Sequence, residues 1–376
     1  MARQSADTQP SPGSQPSPGS QPSPGSQPSP GSQPPPGIDA DKPTEVPTRG
    51  WLQILKRAFK ESGEDNVSII AKGVAYSAFT ALVPALTAVI AIYGLVVSPA
   101  RARQQVLNAT DTLPAAARTT ISTLVDSLTK TGSGTLTAGL VVSILLALYS
   151  ASGAVNSLIT AVNIAYDETN DRPFLKKKLI AYGLTVGAIA FLIVVLGIVA
   201  VLPTVLKVVS GRLPGGVGAA TQIGSVVLLV LLFLVASAVL YRVGPDRAAP
   251  KLMWASPGAV FAAVVWVVAS VGLGLYVRYG HFGNSFGPFA GVVILLFWLY
   301  LTAYIVLFGA EVNSEAELQT ARDTTTGPDR PLGERDAQKA DRVPEGTPPA
   351  TAEAASDRGI GDEPTRRRDS ADAGGR

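Results

Sequence analysis

Few residues in this chain could do chemistry. Across 376 residues there is one histidine, His281, and no cysteine. A lone imidazole without thiols cannot assemble a zinc site of the usual kind, and disulfides and thiolate nucleophiles are excluded. No glycine-rich loop runs into the lysine that cradles phosphates, and no Ser-His-acid set is arranged for nucleophilic attack. The chain is therefore read as a non-enzyme, with no metal and no cofactor expected. The acids Asp167, Glu168, Asp171 and Asp246 lie in short basic loops, not in the clusters that metal-assisted hydrolysis needs. What remains is a set of polar or helix-breaking residues in or beside apolar stretches: Lys72, Tyr76, Pro84, Asn156, Asn163, Gly287 and Glu311. Groups of this kind line a path or bind a solute, because charge in hydrocarbon is costly unless paired or wet.

Each has a stated expectation. Lys72 and Glu311 stand at the starting end of the first apolar stretch and the closing end of the last, and are expected to approach each other as an ion pair. Pro84 removes a backbone bond deep in the first stretch and should kink it. Gly287 belongs to the segment Gly283-Asn-Ser-Phe-Gly-Pro-Phe-Ala-Gly291, a flexible entrance to the last stretch. Gly183 and Gly187 form a small-xxx-small pair suited to close helix contact. If the protein transports a solute, Tyr76, Asn156, Asn163 and Glu311 should share a polar cavity between helices.

The elements that would position these residues follow from charge. Asp, Glu, Lys and Arg are absent from 73–100, 131–166, 179–206, 213–241, 252–277 and 279–310. Each stretch exceeds the roughly 20 residues that a helix needs to cross about 30 Å of hydrocarbon. The expected spans are 74–97, 135–156, 179–202, 220–241, 254–277 and 288–310. Transmembrane strands would be half as long and would alternate in polarity. The fold class is therefore all-α: a polytopic membrane protein with six transmembrane helices. The second stretch is longer than a bilayer requires, so a break near Ser152-Gly153 is expected.

Lysine and arginine set the orientation. With the N-terminus inside, the cytoplasmic segments hold the run Lys176-Lys177-Lys178 and most of the flanking basic residues, which places both termini in the cytoplasm. The partner implied is the lipid bilayer, with a lipid or small solute as substrate. Nucleic acid is not expected, because the basic residues flank apolar runs. The oligomeric state is left open.

Three regions are expected. Residues 1–50 hold four copies of Gln-Pro-Ser-Pro-Gly-Ser over 9–32 and form a disordered tail. Residues 51–318 form the membrane domain. It opens with an interfacial amphipathic helix near 51–62, whose apolar face is Trp51, Leu55, Ala58 and Phe59. Residues 319–376, rich in Pro, Gly, Ala and mixed charge, form a second disordered tail.

Three segments carry a resemblance. Ala71-Lys-Gly-Val-Ala-Tyr-Ser-Ala-Phe-Thr-Ala-Leu-Val-Pro-Ala-Leu86 resembles the first-helix signature of the YihY/BrkB family of bacterial inner-membrane proteins. Tyr241-Arg-Val-Gly-Pro-Asp-Arg247 with Trp254-Ala-Ser-Pro-Gly-Ala259 is similar to its fourth loop and fifth-helix start. Phe297-Trp-Leu-Tyr300 with Phe308-Gly-Ala-Glu-Val-Asn313 is similar to its closing signature, which adds Asn313 to the candidate functional residues. The resemblance covers about residues 50–318 and implies six helices with both termini inside. One departure is visible: Phe286-Gly-Pro-Phe-Ala290 stands where many members have Tyr-Gly-x-Leu-Gly.

The family resemblance brings no settled activity. It carries a historical ribonuclease BN label that the scattered acids do not support. The leading reading is transport or lipid handling in the cell envelope. A structural or assembly role is the alternative, and a membrane-associated ribonuclease ranks last.

Overall fold

The computed structural model describes residues 34–96, 138–210, 217–280 and 289–360. His281, Gly287 and the four hexapeptide repeats lie outside the described residues. Eight α-helices occur among those described: α1 (Thr48–Glu64), α2 (Val67–Val96), α3 (Ala138–Ala165), α4 (Phe174–Ser210), α5 (Val217–Val243), α6 (Leu252–Tyr279), α7 (Ala290–Leu318) and α8 (Pro349–Ile360). A short 3₁₀ turn, Pro43–Glu45, precedes α1. Extended pairing among the described residues is one isolated bridge between Pro250 and Thr325.

Helices α2 to α7 occupy the six charge-free stretches, as apolar sequence of that length requires. Without water, each backbone polar group must be satisfied within its own segment, and a helix does that. Four of them are long and apolar enough to cross a membrane: Phe174–Val195 within α4, Val226–Val243 within α5, and the whole of α6 and α7. The described part of α2 adds a shorter apolar helix, Val67–Leu82. Each of α2 to α6 packs on the next in chain order, and α7 packs on both α6 and α2. The last long helix thus closes the set against the first.

Burial is uneven along these helices. The main apolar core joins Val67, Ala71 and Val74 of α2 with Ala161, Val162 and Ala165 of α3, Leu240 and Tyr241 of α5, Ala259 of α6, and Ala303 to Ala310 of α7. These positions lie at one end of the helix set, because successive helices run in opposite directions. Farther along, Leu231, Val235, Val264 and Val268 are exposed side chains, as lipid-facing positions should be.

Several expectations change. α3 is continuous through Ser152 and Gly153, with no break. Pro84 lies inside α2, within the helix where the sequence placed it. Among the described residues, no atom lies within 4 Å of where a Cβ on Gly183 or Gly187 would stand, so neither shows there the close contact expected of it. The tight contact is made elsewhere in the chain.

α1 forms over the expected residues, but its buried stripe is Gly50, Ile54, Ala58 and Ser62. That stripe packs on Trp254 of α6 and on Val312 and Ala316 of α7. Phe59, expected on the apolar face, is 71% exposed. α1 ends at Asp65, and Asn66 takes a left-handed φ of 55°, which asparagine tolerates, so the chain turns directly into α2.

Parts of both segments expected as tails pack against the helices. Residues 34–47 pack beneath α1: Ile38 accepts from the Ala321 backbone N–H at 2.8 Å, and Pro36 accepts from the Gln319 amide at 2.8 Å. Residues 319–357 also fold back. The cause is Arg335, whose side chain is fully buried. Its guanidinium donates to the carbonyls of Arg330, Arg322, Ala340 and Ala321 and to the Ser356 hydroxyl. All five N–H groups are used, which offsets the cost of burying them. Residues 361–376 lie outside the described residues.

Candidate functional site

The polar residues that the fold draws together lie on the closing turns of α7. Glu311, Asn313, Ser314, Glu315 and Glu317 are all buried there. Such a set needs partners from its neighbours, and other segments supply them for Asn313, Glu315 and Glu317.

Asn313 holds α6. Its amide donates to the Ala255 carbonyl at 3.0 Å, and its oxygen accepts from the Gly258 N–H at 2.6 Å. Pro257 has no N–H to give the Met253 carbonyl, and the Ser256 hydroxyl reaches that carbonyl at 2.9 Å instead. The two helices cross glycine on glycine. A Cβ on Gly258 would stand 2.0 Å from the Gly309 carbonyl, and one on Gly309 would meet the Tyr241 hydroxyl at 2.5 Å. That hydroxyl donates to the Val306 carbonyl at 2.7 Å, tying α5 to the same place.

Charged pairs surround the crossing. Arg247 meets Glu317 at 2.5 Å with both side chains buried, and its guanidinium lies over the Tyr166 ring. Burial opposes the charge on Arg247, but Glu317 outweighs it and holds the guanidinium above its ordinary range. Arg57 of α1 meets Glu315 at 2.5 Å. Lys339, from the folded-back segment, reaches Glu315 at 2.8 Å, Glu61 at 2.9 Å and Asp167 at 3.1 Å. Asn163 accepts from the Asp246 N–H at 2.8 Å, and Arg172 meets Asp246 at 2.8 Å. The loop after α3 is thereby pinned to the loop after α5.

The predicted residues divide. Asn163, Glu311 and Asn313 come together in this hub. Lys72 does not: its ammonium stands 6.0 Å from the centre of the Tyr300 ring, and among the described residues it makes no ion pair with Glu311. Glu311 faces another acid, Asp65, with neither carboxyl oxygen hydrogen-bonded. Tyr76 and Asn156 are exposed on α2 and α3, and Pro84 is half-buried. Gly287 lies outside the described residues.

Sequence reasoning missed Arg57, Arg247, Glu315, Glu317 and Lys339. Glu311 and Glu315 are four apart and so share one helix face, which was a usable sign that this face of the last helix meets polar neighbours. No group of three or more His, Cys, Asp or Glu arranged to hold a metal occurs among the described residues. A pocket of about 190 Å³ opens by Lys251, Arg322 and Asp323, outside the long helices.

A set of long apolar helices closed on itself and tied at one end by buried ionic pairs defines a multi-pass helical membrane protein. The chain matches the family model described as Virulence factor BrkB over residues 58–333, and it belongs to that family. The match reaches past α7 into the folded-back segment.

Curated proteins are similar over parts of the chain. The ribonuclease-like protein YfkH of Bacillus subtilis is 28% identical over 178 residues, covering 46% of this chain and 63% of that protein. A UPF0761 membrane protein of Rhodospirillum centenum is 27% identical over 294 residues, covering 73% of this chain and 60% of its own length. One from Pseudomonas aeruginosa is 41% identical over 95 residues, covering 25% and 22%. The chain spans about three fifths of the length of the first two. No solved structure matches it.

Proposed function

We propose that this chain is a six-span protein of the bacterial cytoplasmic membrane, with both termini inside, that moves a lipid or small solute in the cell envelope. The observation that carries the transport reading is Glu311, a fully buried acid near the end of an apolar helix that no cation pairs with among the described residues. Intramembrane or membrane-end ionisable groups without a structural partner mark pathways more often than scaffolding. The orientation reading draws on the Lys and Arg distribution, and the exposed face of α1, with Leu52, Lys56, Phe59 and Lys60, suits the headgroup region.

The ribonuclease-like name belongs to one relative. This reading assigns no such activity here, since Asp167 and Asp246 are each engaged by a cation. A structural role is the second reading. It is favoured by Asn163, Asn313 and Tyr241, whose polar atoms are spent holding helices together.

Purified full-length protein in sealed liposomes tests the choice. Transport predicts movement of ions or labelled lipid above that of empty vesicles, and silence in both assays would leave the structural reading. Topology is tested separately. The chain has no cysteine, so single cysteines placed at either terminus should be labelled only after the membrane is opened from the cytoplasmic side.

A further inference from the structure

Glu311 and Asp65 face each other in an unusual way. Glu311 is fully buried, and among the described residues neither of its carboxyl oxygens has a hydrogen-bond partner. Asp65, in the joint between α1 and α2, stands one turn beyond Glu61, as Glu311 stands one turn before Glu315. Lys339 ties Glu61 to Glu315, which brings the two acids to the same side of the hub. Asp65 buries its own Oδ2 without a hydrogen-bond partner among the described residues. Two carboxylates offer acceptors only. A hydrogen bond between them needs a proton on one.

The surroundings supply that proton's driving force. Glu61 and Arg57 come from α1, Asp167 from the turn after α3, Glu315 from α7, and Lys339 from the folded-back segment. Tyr166 and the Arg247–Glu317 pair lie beyond. With Asp65 and Glu311 the inner group counts five acids against two cations, a net charge of −3 if all ionise. Both cations are already held: Lys339 by Glu61, Asp167 and Glu315, and Arg57 by Glu315 and Gln319. Nothing is left to neutralise the facing pair, and like charges this close in a buried site cannot both ionise. Burial, then the Asp167 and Glu61 carboxylates, pushes Asp65 above its ordinary range.

We propose that Asp65 and Glu311 form a proton-binding site, an acid–carboxylate pair sharing one proton, loaded from water through the partly exposed Asp65 and held against the buried Glu311. Its use as the coupling site of a transporter rests on the transport reading above. The site itself does not.

Infrared difference spectra of the full-length protein in lipid nanodiscs, taken through a pH titration, test it. Wild type should show a protonated-carboxyl carbonyl band at neutral pH that disappears on alkalinisation. Glu311→Gln should lose that band, one carboxyl per chain, and Asp65→Asn should shift its position or its midpoint. Glu353→Gln, in α8, should leave it unchanged. A band identical in wild type and Glu311→Gln overturns the site. If Glu311→Gln fails to fold, an unshifted band in Asp65→Asn overturns it equally. Proton flux in liposomes is read separately: a band lost in Glu311→Gln without any flux in wild type keeps the site and removes the coupling role.

Discussion

The two ends of the long helices obey different rules. At the hub, α1, α2, α3, α5, α6 and α7 meet in small residues and buried charge, with Gly258 against Gly309 and Arg247 against Glu317. Away from it, α5 and α6 leave Leu231, Val235, Val264 and Val268 more than half exposed. The hub gains its order from specific pairs, because its polar groups have no other way to be satisfied. The apolar lengths gain theirs from helix formation in a medium that accepts any apolar side chain. A substitution should therefore be severe in one region and mild in the other.

The hardest test of that contrast is Gly258→Leu. Even a Cβ meets the Gly309 carbonyl at 2.0 Å, and backbone cannot swing aside as a side chain can. The cost should exceed the roughly 1–3 kcal/mol of ordinary overpacking, with no monodisperse peak on detergent size exclusion. A stable Gly258→Leu protein would break the comparison.

Next comes Arg247→Met, which leaves Glu317 buried and unpaired. We expect a loss of about 3–5 kcal/mol in reversible denaturant unfolding in micelles. Replacing both partners, Arg247→Met with Glu317→Leu, should recover much of it, because the penalty lies in the orphaned charge.

Lys339→Gln should cost somewhat less, about 3 kcal/mol, since Arg57 still serves Glu315. Here pH sharpens the test. Burial opposes the Lys339 ammonium, but Glu315, then Glu61 and Asp167, hold its pKa above the ordinary 10.5. A raised lysine contributes stability in full below its unfolded pKa and loses it as pH rises through the folded one. Melting temperature should thus fall in wild type above about pH 10 from this group, and that component should vanish in Lys339→Gln. A variant with the same alkaline slope as wild type would remove Lys339 from the account.

The smallest effect is expected at Val268→Ala. The side chain is 68% exposed on α6, so its loss should change stability by less than about 0.5 kcal/mol in the same unfolding assay. A larger value would mean that a partner covers that face.

Much of the fold was legible in composition alone. Runs without charge longer than a bilayer leave a chain little choice but helix, and the six stretches became α2 to α7. The site was legible only in part. Asn163, Glu311 and Asn313 are buried at one end of the helices, but Glu311 does not meet the partner expected for it. Lys72 and Glu311 sit at corresponding helix ends, yet rotation about each helix axis decides which side chains meet, and apolar runs on all sides give no signal of that rotation. The folded-back segment was illegible for another reason. Residues 319–357 have the composition of a solvated tail, and a single arginine meeting four carbonyls leaves no periodic trace.

The sequence by itself determined that this protein is helical and membrane-embedded, because hydrocarbon length and backbone hydrogen bonding depend only on local composition. Tertiary structure decided which acids found cations and which did not. Pairing depends on the distance between side chains hundreds of residues apart, as with Arg57 and Glu315, or on the lack of a hydrogen-bonded cation among the described residues, as at Asp65 and Glu311. Those distances exist only once the last long helix has closed against the first.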